Sequence, residues 1–169
     1  ELRKEARGFL VLSGEAEALQ ADPTYPPWQH VYTSLLGEQP LSRLPDDLKP
    51  RDPLLAPVLQ LNLPDNPLTA SLDPELRKAA RETLLVELLR RATADRPVLL
   101  ILENAQWFDP LSQNLLEAIQ RVGSTLPLLI LVTSRDEQPA ALQLAPLSDE
   151  AARELLLSRL AGRDVGHDA

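Results

Sequence analysis

The sequence contains no cysteine and no methionine, only two histidines and six glycines, and few aromatic residues (4%). Without cysteine, neither disulfides nor thiolate metal sites can form, and the isolated His30 and His167 do not make a histidine metal site. Basic side chains are the minority, 17 against 25 acids, for a formal net charge of -8. Broad contact with a phosphate backbone needs clustered Lys and Arg, so direct nucleic-acid binding by this segment is not expected. No apolar run approaches the roughly 20 residues of a membrane span, and the first residues lack the apolar core of a signal peptide. The composition fits a cytoplasmic, reducing location without membrane contact. Most telling, no Gly-Lys pair occurs anywhere, so the phosphate-binding loop G-x-x-x-x-G-K-[ST] is absent.

What is present is enough for one domain: 169 residues, 44% of them hydrophobic. The opening "ELRKEAR" reads as the end of a helix stopped by Gly8, so the chain is expected to be a piece of a longer polypeptide. Phe9 to Leu12 is a short strand, ended by Ser13-Gly14. A helix begins at Pro26-Pro27, carries Trp28, Val31, Tyr32, Leu35 and Leu36 on one stripe, and closes at Gly37. His30 falls off that stripe. Between residues 38 and 73, prolines at 40, 45, 50, 53, 57, 64 and 67 allow only short turns and loops.

Regular structure resumes at Asp73-Pro74-Glu75, a capped helix start with Leu76, Ala80, Leu84 and Leu88 at spacing four, running to about Ala94. Val98 to Leu102 is a buried strand. Asp109-Pro110 caps the next helix, with Leu111, Leu115, Ala118, Ile119 and Val122 inward and Gly123 at its end. Leu128 to Val132 is another strand, Leu142 to Leu144 a short fourth one, and Ser148-Asp149-Glu150 caps a last helix carrying Ala152, Leu155, Leu156 and Leu160. Continuous apolar strands alternating with helices predict an α/β fold: three layers, a mostly parallel sheet and helices on both faces.

In such sheets ligands bind beyond the carboxyl ends of the strands. Glu103-Asn104 ends one strand and Thr133-Ser134-Arg135 the next, so an acid, an amide, two hydroxyls and a guanidinium could meet a metal-bound triphosphate. Spacing alone does not separate this from the ordinary need of buried strands to end in polar residues. Trp107 is expected to fill space beneath its loop and Asp109 to act as an N-cap. Trp28 and Tyr25 could stack on a base, but the helical stripe places Trp28 in the core. Asp46-Asp47 reads as loop solvation. Ser13-Gly14 and His167 have no partners at the spacing of a nucleophilic triad.

"RPVLLILENAQWFDPLSQNLLEAI", "LPLLILVTSRDE" and "LQLAPLSDEAARELL", in that order, resemble the AAA-like domain of the STAND class of P-loop ATPases, found in large bacterial transcriptional regulators and nucleotide cyclases. Upstream, "RGFLVLSGEAEALQADPTYPPW" resembles the family's second strand with its Tyr-x-Pro-Trp segment, and "LDPELRKAARETLLVELLRRA" the helix before its Walker B strand.

The resemblance implies that Glu103 holds magnesium, usually through water, that Asn104 stands where a second acid would be, and that Arg135 senses the γ-phosphate, with Thr133 and Ser134 beside the nucleotide. A carboxamide orients water but is a poor base. Gln106 replaces the usual His. The phosphate loop and its strand belong just before "ELRKEARG", and that strand would lie between the one ending at Arg135 and Leu142–Leu144, so the sheet is expected to lack it. Residues 1–162 then form a partial ATPase domain, with residues 38–73 connecting, and 163–169 begin a following segment or tail. The expected function is a regulatory ATP- and Mg2+-dependent signalling switch working with other domains of the same polypeptide, this chain alone being inactive. The alternative is a non-catalytic interaction or scaffold domain with a degenerate nucleotide site.

Overall fold

The computed structural model describes residues 8–18, 24–136 and 142–161. The expected helix over the first seven residues lies outside them. The chain divides into two compact units, Glu1–Asp136 and Glu137–Ala169.

In the first unit three strands, β1 (Leu10–Glu15), β2 (Val98–Glu103) and β3 (Leu128–Val132), form a parallel sheet in the order β1-β2-β3, with Leu12, Leu100 and Ile130 in register. The strands of residues 98–103 and 128–132 are thus parallel neighbours, in keeping with the expected parallel sheet. β1 starts one residue later than expected and runs through Ser13-Gly14 to Glu15, because pairing with Ile101 and Leu102 carries the ladder across the glycine. Phe9 stays outside the strand and exposed.

Helices α1 (Pro26–Leu36), α4 (Pro74–Asp95) and α5 (Pro110–Gly123) flank the sheet. Between α1 and α4 the proline-rich segment makes a 3₁₀ turn (Lys49–Leu55) and two one-turn helices, α2 (Ala56–Leu59) and α3 (Pro67–Ala70), as its prolines require. α1 crosses so close to β1 that a Cβ at Gly14 would overlap the Pro27 carbonyl. The core gathers Leu12, Leu100 and Leu102 with Trp28, Tyr32, Leu84, Leu88, Leu115 and Ile119, all on one sheet face. On the opposite face Leu99 and Ile101 of the central strand are buried, while Leu129 and Leu131 of β3 are 59% and 38% exposed. Helix cover is thus described for one face, not both.

Along α4 the buried stripe is Leu84, Leu85, Leu88 and Leu89, while Leu76 is 56% exposed. Each step of four overshoots a 3.6-residue turn by about 40°, so a row at that spacing drifts around the helix and Leu76 leaves the core.

In the second unit α6 (Asp149–Ala161) starts as expected, with the Ser148 hydroxyl accepting from the Ala151 N–H. Its Leu155 and Leu156 are exposed rather than buried. The expected strand at Leu142–Leu144 does not form: three residues before Pro146 have no ladder partner among the described residues, and Leu142 is 89% exposed.

Candidate functional site

Because β2 and β3 are parallel, Glu103 and the run Thr133-Ser134-Arg135 emerge at the same edge of the sheet. Sequence order and a right-handed crossover through α5 are enough to bring them there. Glu103 and Arg135 are both exposed, so the carboxylate and the guanidinium remain available to a ligand.

The turn after β2 is laced to both neighbouring strand ends. Asn104 sits in the left-handed region at φ 60°, ψ 48°, which Asn tolerates better than most residues. Its main-chain N–H donates to the Thr133 hydroxyl at 3.3 Å, and the Ala105 N–H donates to the Thr133 carbonyl at 2.8 Å. The Asn104 side chain turns toward β1: Nδ2 donates to the Glu15 carboxylate at 3.0 Å and to the Ala16 carbonyl at 3.2 Å. Glu15 itself is the register partner of Glu103.

Gln106 completes the lacing, its Oε1 accepting from the Arg135 main-chain N–H at 3.1 Å. The Ser134 hydroxyl accepts from the Asp136 N–H. Thr133 is therefore tied to the turn after β2, and Ser134 is engaged within its own loop. Asp109 caps α5 as expected, accepting from the Leu111 and Ser112 N–H groups. Trp107 does not fill space beneath the loop, being 46% exposed, because the 3₁₀ turn over Ala105–Trp107 carries it outward.

Sequence reasoning missed Glu15 and the acceptor role of Gln106. Glu15 lies in the segment that resembles the family's second strand, but that likeness gives it no role, and only the sheet register brings it beside Glu103. A cleft of about 470 Å³ opens here, lined by Glu15 and Glu103 and by Gln29, His30 and Thr33 of α1. A larger cavity of about 610 Å³ lies among α4, α5 and Asp47, with no strand residue in its lining, where Arg91 binds both Asp47 and Glu87. Asp47 is thus an ion-pair partner rather than loop solvation alone. Tyr25 and Trp28, both fully buried, are core residues; Trp28 and Tyr32 pack with ring centroids 6.3 Å apart, and the Arg81 guanidinium covers the Tyr25 ring. His30 is exposed, as its place off the stripe predicts.

Among the described residues no group of three or more acids and histidines is arranged to hold a metal ion. Magnesium needs less, since it keeps several waters and takes one or two carboxylates plus phosphate oxygens. The exposed carboxylate of Glu103 suits that role.

A parallel α/β sheet with an acid and a hydroxyl-guanidinium run at adjacent strand ends is compatible with a P-loop NTPase-like fold. Residues 1–132 match the family model described as the AAA ATPase domain, and the chain belongs to that family, whose members generally bind ATP with Mg2+. No curated protein and no solved structure matches the chain. No helix among the described residues is long and apolar enough to cross a membrane.

Proposed function

We propose that this chain is part of a regulatory ATP-binding domain of the STAND class, in which nucleotide acts as a conformational switch for other domains of the same polypeptide. The observation that carries this reading is the shared edge of β2 and β3, where Glu103 would hold hydrated magnesium and Arg135 would reach the γ-phosphate. Thr133 and Ser134 shape the loop that carries Arg135. Asn104 would handle water with its Oδ1 at most, since its Nδ2 is committed to Glu15 and Ala16. Binding would then exceed turnover.

The phosphate loop would be supplied by a strand pairing with the outer edge of β3, which has no partner among the described residues. Transcriptional regulators and nucleotide cyclases are the host proteins this class suggests, and the cytoplasm the compartment. The test is Glu103→Gln in the full-length polypeptide. It should weaken the magnesium-dependent part of ATP binding by at least about tenfold, a loss of about 1.4 kcal/mol, and leave magnesium-free binding unchanged. An unchanged affinity in magnesium would remove Glu103 from the site.

A second reading, a scaffold that keeps the fold without nucleotide handling, draws support from the same committed Asn104 amide. The coding sequence upstream of Glu1 separates the two. A hydrophobic strand followed by an intact Gly-Lys-Ser/Thr loop favours the switch, and its degeneration favours the scaffold.

A further inference from the structure

We infer that Asn104 is a positioning residue, a clamp that ties the end of β1 to the end of β2 and holds the Glu15 carboxylate beside Glu103. The inference rests on the nucleotide reading only for its consequence at the site; the clamp itself stands on the hydrogen bonds.

Three features make an amide the side chain required here. Asn104 adopts φ 60°, a conformation open to Asn, Asp and Gly but costly for most others. From that turn Nδ2 meets two acceptors and no donor, the Glu15 carboxylate at 3.0 Å and the Ala16 carbonyl at 3.2 Å. Only a group with two N–H donors satisfies both, and a carboxylate of the same shape supplies none. The pairing also spans 89 residues of sequence, closing a strand end that the ladder alone leaves with one further bond, from the Ala16 N–H to the Glu103 carbonyl at 3.2 Å. The second acid of the edge is therefore Glu15, brought in from β1, and residue 104 keeps it in place next to the acid assigned to magnesium.

The decisive substitutions change donors without changing shape. Asn104→Asp sets a carboxylate against Glu15 and the Ala16 carbonyl. In the 169-residue chain it should lower the melting temperature by about 3 °C or more, with a shift in the emission of Trp107, three residues away. Glu15→Gln keeps an acceptor for Nδ2 and should melt within about 1 °C of the parent chain. The double variant Asn104→Asp with Glu15→Gln reverses the hydrogen bond, since the new amide at 15 donates to the new carboxylate at 104. It should recover at least about half of the lost stability. Asn104→Gly keeps the backbone conformation and removes the clamp, and should resemble Asn104→Asp in losing β1-end protection in amide exchange at Ala16.

The same set is then titrated with Mg–ATP in the full-length polypeptide. Asn104→Asp should weaken binding at least about fivefold, and Asn104→Gly, which releases the Glu15 carboxylate without adding a charge, should weaken it as well. A single variant as stable as wild type, or a double variant no better than the single, overturns the clamp. A loss of stability with unchanged Mg–ATP affinity overturns the positioning role. A wild type that does not bind Mg–ATP overturns the nucleotide reading and the positioning role with it, while the melting and exchange results still decide the clamp.

Discussion

Trp28 Nε1 donates to the main-chain carbonyl of Ser112 at 3.1 Å, joining α1 to the first turn of α5 across 84 residues. The same serine hydroxyl bonds the Asp109 carboxylate that caps α5, so the indole docks on the one turn whose position decides where β2 hands the chain to α5. Trp28 is fully buried, and its ring leans on Tyr32, whose hydroxyl in turn donates to the Leu85 carbonyl at 2.8 Å.

Trp28→Phe keeps most of the packing but removes the N–H and the second ring. It should cost about 1–3 kcal/mol, from one buried hydrogen bond and a small cavity, whereas Trp28→Ala should cost about 3–5 kcal/mol. Urea unfolding followed by circular dichroism reads both. Equal costs for the two variants would mean that the docking bond, not the volume, dominates.

Gly14→Ala should destabilise more than its single methyl suggests. The added Cβ would overlap the backbone carbonyl of Pro27, which cannot swing aside as a side chain could, so α1 must lift from β1. A cost of about 3 kcal/mol or more is expected, at the upper end of overpacking effects. A urea midpoint within error of the parent would show that α1 rides on β1 more loosely than this.

The sheet was legible because its signals are local. Val98–Leu102 and Leu128–Val132 are unbroken apolar runs, Asp73-Pro74 and Asp109-Pro110 are caps followed by prolines, and both strands and helices stand where those signals put them. The family resemblance placed Glu103 at a strand end for the same reason. The rest depends on contacts that no window of sequence contains. Asn104 reads as a water-facing amide until its left-handed backbone swings Nδ2 toward Glu15, 89 residues earlier. Gln106 reads as a lost histidine until its Oε1 meets the Arg135 N–H. Leu142–Leu144 has the alternation of a strand, but a strand is made by its neighbour, and none is present among the described residues.

Acid should erode stability through the Arg91 cluster. Arg90 and Arg91 hold the Glu87 carboxyl down from 4.5 to about 2, chiefly by direct hydrogen bonds, and Arg91 lowers Asp47 in the same way. A carboxyl depressed in the folded state contributes stability above its unfolded value near 4.5, and this is lost as pH falls from there toward about 2. Arg91→Gln removes part of the depression. It should lower stability at pH 7 and flatten the decline between pH 4.5 and 2, read as urea midpoints across that window. A variant whose slope matches wild type would show that Arg90 alone sets the Glu87 carboxyl.

Affinity for a triphosphate comes mostly from main-chain N–H groups and a lysine wrapped around the β- and γ-phosphates, and this sequence has no Gly-Lys pair to supply them. One carboxylate through water and one arginine cannot replace that cradle, so Mg–ATP should bind the 169-residue chain more weakly than about 1 mM, worth about 4 kcal/mol or less. Extending the chain upstream to include a strand and its loop should do two things together. ATP binding should rise into the micromolar range, about 4 kcal/mol tighter, and β3 amides should gain protection from hydrogen exchange as a new strand pairs with the outer edge of β3. Calorimetry and exchange on the short and extended chains measure both. Micromolar binding by the short chain would require a phosphate cradle within residues 1–169. Binding restored without new protection in β3 would place the incoming strand elsewhere than beside Leu128–Val132, and the β2–β3 edge would no longer be the nucleotide site.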